Sequence, residues 1–408
     1  MKRKPVKTSQ VIFLLILLML LAITLFFRWQ RAEDLRAGTL VPGAEETAQA
    51  PEAPAPETET AAPEETPEEL PEPTPEAAGE PAPEPESEPA PEPQHYTIDE
   101  NALSGPRPDP ARYGESANPS ELMALLESDR AKNLIGDQEL VWNPDIVLFP
   151  DSTIHWYLDD TILVIVWQEV EAQAVGTFSE VFIADGSQLR RKICEDTLFS
   201  FDFHTTTTFA QQTNGVLTFG GDFYYHARDC GIGVYQREIY RFRPDNADTC
   251  FITAGGDMLF SHYEELSSEE EIQRRREEVQ RFIEENDVLF SLCFGPILIE
   301  NGEDVTPYDY WWGEVRDRYA RAVLGMMGER HYLCMNLNCG TIGTEYYNLV
   351  TLQQATDAMM RRNVKKAYAL DGGQTATTVL GGELINPVQF GEQTIISDVI
   401  YFATAIPN

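Results

Sequence analysis

The chain has 408 residues, a formal net charge of −37, 42% hydrophobic residues and six cysteines. That apolar fraction excludes a wholly disordered chain, the cysteine count excludes a disulfide scaffold, and the acidity excludes a nucleic-acid binder.

Lys2, Arg3, Lys4 and Lys7 make residues 1–10 a basic, cytoplasmic tail. Val11 to Phe27 then runs 17 residues without a charge, the low edge of what spans a bilayer as a helix. Residues 11–27 are therefore expected to be a single-pass anchor in the cell membrane, with the C-terminal part extracellular. The rival reading is a cleaved signal peptide. It calls for a shorter apolar core and a nearby small-x-small site, whereas Ala48-Gln49-Ala50 lies far downstream. Residues 41–94 hold 15 Pro, 16 Glu and no Lys or Arg. Proline removes backbone donors, like charges repel, and little apolar surface is left to bury. Residues 28–94 are expected to be a disordered spacer, of which 41–94 could reach on the order of 150 Å at about 3.1 Å per residue. The first 36 residues carry +5 and residues 41–94 carry −16, which leaves −26 on residues 95–408. Such a module must hold any phosphate-bearing ligand with a few well-placed cations.

Asn118-Pro119-Ser120 followed by an apolar run to Leu126 predicts a short capped helix. Strand-like runs follow at Ile146–Phe149, Thr161–Trp167, Val181–Ala184, Val216–Phe219 and Ile239–Phe242. Ser268 to Asn286 reads as a helix, with Ser268 and Glu271 as a capping box and Ile272, Val279 and Ile283 on one face. A second helix fits Leu352 to Arg362, capped by Thr351 and Gln354, with Arg361 and Arg362 suiting its C-terminal dipole. The short strand Ala367–Leu370 closes on Asp371-Gly372-Gly373. Strands and helices mix without regular alternation, so the expected fold is α+β: a mixed sheet with packed helices in one large domain. Its bounds are set at 170–408, with 95–169 as a lead-in segment. None of the cysteines forms a CxxC, which argues against zinc; some could pair outside the membrane, or all could be buried thiols.

Three places could carry chemistry. Asp371 ends a strand, and Gly372 and Gly373 let backbone amides approach a ligand before the small polar run from Gln374 and Thr375. Gly220-Gly221-Asp222 has the same character and leads into aromatics, including Tyr224, of the kind that stack on sugar rings. Arg321 opens an apolar strand as either an ion-pair partner or an anion clamp. Each also has a purely structural reading, as a turn or a salt bridge.

In order and spacing these segments resemble the phosphodiester glycosidase family, which has many members in bacterial envelopes. The resemblance covers roughly 170–406. It starts at Thr177–Val181 and continues through Asn214–Tyr224, similar to the family's NGDYY segment, and Gly231–Val234. Phe294–Gly302 is similar to FGPALVENG, Arg321–Gly325 to RTAIG, Ala367–Gly373 to AYNLDGG, and Ser397–Ile400 to SDII. The chain departs from the pattern where Gly220, Ala369 and Gln374 replace Asn, Asn and Gly, and where Thr394 stands near an expected Arg.

The resemblance implies hydrolysis of the sugar–phosphate bond of a glycosyl 1-phosphodiester in cell-envelope glycans. Asp371 and Asp222 would take the catalytic carboxylate roles. Arg321 would hold the phosphate; Gly221, Gly372, Gly373, Gln374, Thr375 and Tyr224 would line the substrate site. No cofactor or metal is called for, although clustered Asp and backbone carbonyls suit a divalent cation. A module that keeps the fold and binds the glycan without turnover is the alternative.

Overall fold

The computed structural model describes residues 95–149, 151–194, 202–222, 230–310, 314–342 and 345–407. The tail, anchor and spacer expected over 1–94 lie outside them. Among the described residues no helix is long and apolar enough to cross a membrane.

The fold is α+β, but every strand pair among the described residues is antiparallel, so the expected mixed sheet becomes several antiparallel ones. A nine-stranded sheet forms the centre. It runs in space from Tyr113–Ser116 through Ile154–Leu158, Ile162–Glu171, Ala174–Ile183, His331–Asn338, Arg321–Gly328, Lys366–Leu370 and Ile297–Glu300 to Glu303–Asp304. Its central strands are buried on both faces; its edge strands Tyr113–Ser116 and Glu303–Asp304 are not. Leu163, Ile165 and Trp167 face one core with Leu122, Ala131 and Met359 from the helices Pro119–Leu126, Asp129–Ile135 and Leu352–Met360. Ile162, Val164 and Val166 face a second core with Leu217, Phe219 and Ile400. Burial on both sides explains the continuous Ile162-to-Trp167 apolar run, where a half-exposed strand would alternate.

Two five-stranded sheets and a two-stranded ribbon, Gly340–Ile342 with Glu345–Tyr347, accompany it. One has the order Glu383–Leu384, Thr378–Leu380, Leu217–Gly220, Asp398–Phe402, Leu189–Ile193. The other runs Met258–Ser261, Thr249–Thr253, Val288–Leu292, Gly231–Tyr235, Glu238–Arg243, with the helix Glu269–Glu285 packed on it through Val279 and Ile283.

The division between a 95–169 lead-in and a 170–408 domain falls inside the strand Ile162–Glu171, and the described residues all fall in one compact unit. The lead-in supplies three strands of the central sheet. It is also tied to it by Glu180, fully buried, which accepts from the amides of Val141 (2.7 Å) and Trp142 (2.9 Å) and lies 2.9 Å from His331 Nε2. Ile146–Phe149 is not a strand; only Leu148 bridges, to Glu169. Pro144 and Pro150 flank it and cannot donate to a ladder.

Both predicted capping boxes are present, Ser268 with Glu271 and Thr351 with Gln354. Ile272, expected on the buried face, stays 42% exposed. The second helix ends at Met360 with Arg361 as its C-cap; the Arg361 and Arg362 side chains pair with Glu171 and Glu169, and Arg362 also donates to the Ala358 carbonyl in the last turn at 2.8 Å. Arg362 also lies 3.8 Å over the Phe178 ring. Ser268→Ala is expected to destabilise the domain by about 1 kcal/mol, read as a lower urea midpoint, because the Glu271 amide at the helix start loses its acceptor.

Candidate active site

The site forms where the end of the central strand Lys366–Leu370 meets the sheet containing Leu217–Gly220 and Asp398–Phe402. Gly220 pairs with Val399, and the chain then turns past Asp398. A Cβ on Gly220 would stand 1.8 Å from the Thr375 carbonyl oxygen, and one on Gly221 would stand 2.2 Å from that of Asp398. Only glycine lets these three backbones touch.

Asp222 follows, fully buried. Its amide donates to both carboxylate oxygens of Asp398, at 3.2 Å. Its own carboxylate accepts from the amides of Cys293 (2.6 Å) and Phe294 (2.8 Å) and from Arg191 Nη2 (3.4 Å). Arg191 stands opposite Ile400 on the strand Leu189–Ile193 and sends its guanidinium between the two acids. Its Nε donates to Asp398 Oδ2 at 2.9 Å, Nη2 lies 2.8 Å from the same oxygen, and Nη1 donates to the Ser291 carbonyl. One cation thus serves two buried carboxylates. Burial raises the Asp222 pKa to about 6, with Asp398 adding to the rise and Arg191 and the two amides opposing it.

Asp371 approaches from the other side. Its amide donates to the Gly221 carbonyl at 3.2 Å, and the Gly373 amide donates to the Ala320 carbonyl at 2.9 Å. A Cβ on Gly372 would come within 2.3 Å of that same carbonyl oxygen. The Thr375 hydroxyl closes the loop on the Gly372 carbonyl at 2.6 Å. Asp371 keeps part of its surface open to a cavity of ≈150 Å³, whose wall includes Gly221, Thr375 and Asp398. Desolvation raises the Asp371 pKa to about 8; the Asp398 and Asp222 charges add to it, against hydrogen bonds from Thr375 and Gly372.

Of the residues expected from sequence, Asp371, Gly221 and Thr375 line this cavity. Gly372 and Gly373 form the loop floor against Ala320, and Gln374 turns outward to donate to the Glu392 carbonyl at 3.4 Å. Asp222 stands behind Asp398. Tyr224 lies outside the described residues. The guanidinium of Arg321 donates to the carbonyls of Val350 (3.4 Å) and Asp317 (2.6 Å) and lies 5.5 Å over the Tyr319 ring. The guanidinium bound to Asp222 and Asp398 is that of Arg191.

Sequence reasoning missed Arg191 and did not rank Asp398. The signal for the first was Arg190-Arg191-Lys192 between Leu189 and Ile193: three cations in a strand, all buried, in an acidic chain. The six cysteines are thiols, five of them buried. Among the described residues no three His, Cys, Asp or Glu side chains are placed to hold a metal ion.

Residues 220–403 match the family model described as phosphodiester glycosidase. A zebrafish N-acetylglucosamine-1-phosphodiester alpha-N-acetylglucosaminidase catalytic domain, auto-inhibited by its pro-peptide, is 18% identical, with a TM-score of 0.43 over 60% of this chain and 83% of that one. A hypothetical protein from Synechocystis is 11% identical, with a TM-score of 0.40 over 63% of this chain and 67% of that one. No curated protein is significantly similar to the chain.

Proposed function

Through residues 220–403 the chain belongs to the phosphodiester glycosidase family, and from that premise we propose that it hydrolyses the sugar–phosphate bond of a glycosyl 1-phosphodiester in cell-envelope glycans. The observation that carries this reading is the contrast between two carboxyl groups on one cavity. Asp398 is held by Arg191, whereas among the described residues no cation pairs with Asp371, whose pKa is raised to about 8. A carboxyl without a cation beside one bound to a guanidinium is suited to a different step.

At neutral pH the protonated Asp371 donates a hydrogen bond to the phosphate without repelling it, then transfers its proton to the oxygen leaving the anomeric carbon; water adds to that carbon and gives its proton back to the Asp371 carboxylate. A phosphate is already a good leaving group, so little protonation is needed. Asp222 and Asp398 share the single charge of Arg191, so this buried trio has a net charge of −1. That charge stabilises the positive character that develops on the sugar as the bond breaks. In this reading Asp222 is a positioning residue: its amide and carboxylate fix Asp398, Arg191 and the 293–294 backbone.

The apolar run 11–27 and the Pro/Glu-rich spacer support a cell-membrane anchor with this domain held outside. One observation favours the binding-module alternative: the oxygens of Asp222 and Asp398 are already occupied by amides and Arg191. Incubation of the full chain with UDP-N-acetylglucosamine separates the two. Release of free N-acetylglucosamine above an Asp371→Asn control is expected; saturable binding with no release would favour the alternative.

A further inference from the structure

Residues 388–396 run as a strap beside the 372–375 loop and supply one wall of the cavity through Thr394 and Ile395. The strap is held in place. The Gln393 amide oxygen accepts from the Thr207 amide (3.3 Å) and hydroxyl (3.1 Å), Ile396 bridges His204, and the Gly391 amide donates to the Val388 carbonyl at 2.8 Å. At its turn stands Phe390, 82% exposed, with φ of 67° and ψ of 7°. A bulky residue in the left-handed region is a steric outlier that glycine would relieve, and such strain gathers at functional sites. Ile395, on the same strap, is 60% exposed. Between strap and loop, Gln389 Oε1 is buried with no donor, and a Cβ on Gly373 would stand 3.6 Å from it.

These features have no purpose in the packing of the domain. The large aromatic faces solvent, at a conformational cost, on the strap whose Thr394 and Ile395 line the cavity that holds Asp371. The chain around it is acidic, so an exposed apolar ring there favours an uncharged ligand surface over an anion. The apolar C–H face of a pyranose is such a surface. We propose that Phe390 is the stacking platform for the sugar ring of the substrate, presented by the 388–396 strap. This inference rests on the glycosidase reading and names the part of the substrate that the strap recognises.

Saturation-transfer NMR on the full chain with methyl glycosides of glucose, mannose, N-acetylglucosamine and N-acetylgalactosamine tests it. The expected result is transfer to the ring C–H protons of at least one glycoside, lost in Phe390→Ala and kept in Phe390→Trp. The corresponding dissociation constant should rise by roughly three- to tenfold in the alanine variant. Phe390→Gly should raise Tm, since glycine accepts this backbone freely, while losing the transfer. No transfer to any glycoside, or transfer untouched by Phe390→Ala, would overturn the proposal. Phe390-dependent transfer from a chain that releases no sugar from UDP-N-acetylglucosamine would keep the platform and sink the hydrolase reading.

Discussion

Replacing Asp371 by asparagine is expected to lower kcat/KM for sugar release by about 10²- to 10⁴-fold, the contribution typical of a positioned general acid. Asparagine keeps the size of the side chain and a hydrogen-bond donor but cannot deliver a proton. Wild-type activity should therefore fall as pH rises through about 8, where the Asp371 acid form is lost. It should also fall as pH drops through about 6, where protonation of Asp222 discharges the buried trio. The same substitution has a second signature of opposite sign. The folded-state pKa of Asp371 lies above its ordinary value of 3.8, so the folded state holds a proton there that the unfolded chain has released. Stability is then lost as pH rises from about 4 to about 8. Asp371→Asn removes that loss. It should melt higher than wild type at pH 8 and match it near pH 4, by differential scanning calorimetry. Loss of rate with gain of stability is what a functional carboxyl predicts; a structural carboxyl would lose both.

Arg191→Met is expected to be the most destabilising single change in the domain, by roughly 3–5 kcal/mol, because it leaves two buried carboxylates without their cation. Asp222 and Asp398 are each at most 1% exposed, so water cannot take over. Arg191→Lys should recover only part of the loss. Lysine keeps the charge, but one ammonium cannot reach Asp222, Asp398 and the Ser291 carbonyl from the directions a planar guanidinium covers. Adding Asp222→Asn and Asp398→Asn to Arg191→Met should restore stability without restoring activity. Urea unfolding followed by circular dichroism measures all four proteins. A triple variant no more stable than Arg191→Met would show that the cation matters for packing rather than for charge.

The helices were legible because their ends are local. Ser268 with Glu271 and Thr351 with Gln354 announce themselves within four residues, and both boxes form. The long hairpin Ile162–Glu171 to Ala174–Ile183 was harder, because Ala172 and Gln173 make its turn at φ of 51° and 65° with no glycine or asparagine to signal it. The lead-in looked separable because pairing between Tyr113–Ser116 and Ile154–Leu158, and burial of Glu180 under Val141 and Trp142, are contacts between distant segments.

The site divides the same way. Asp371 and Gly221 were legible because a carboxylate or glycine at a strand end has few local purposes. Arg321 was chosen as the phosphate cation from its place before an apolar strand, yet its side chain bonds carbonyls at 317 and 350. Which face of a strand a guanidinium takes depends on register with neighbours that no local pattern states. Arg191 shows the converse: its partners lie 31 and 207 positions away. Phe390 looked like any loop aromatic until its exposure and positive φ were visible beside the cavity.

The most direct measurement is hydrolysis of UDP-N-acetylglucosamine by the full chain in ¹⁸O-labelled water, with the products resolved by mass spectrometry. Cleavage between the sugar and the phosphate oxygen, driven from Asp371, places the label on free N-acetylglucosamine and leaves UDP unlabelled. Label on the phosphate, or no product at all, would contradict a glycosidase at this cavity.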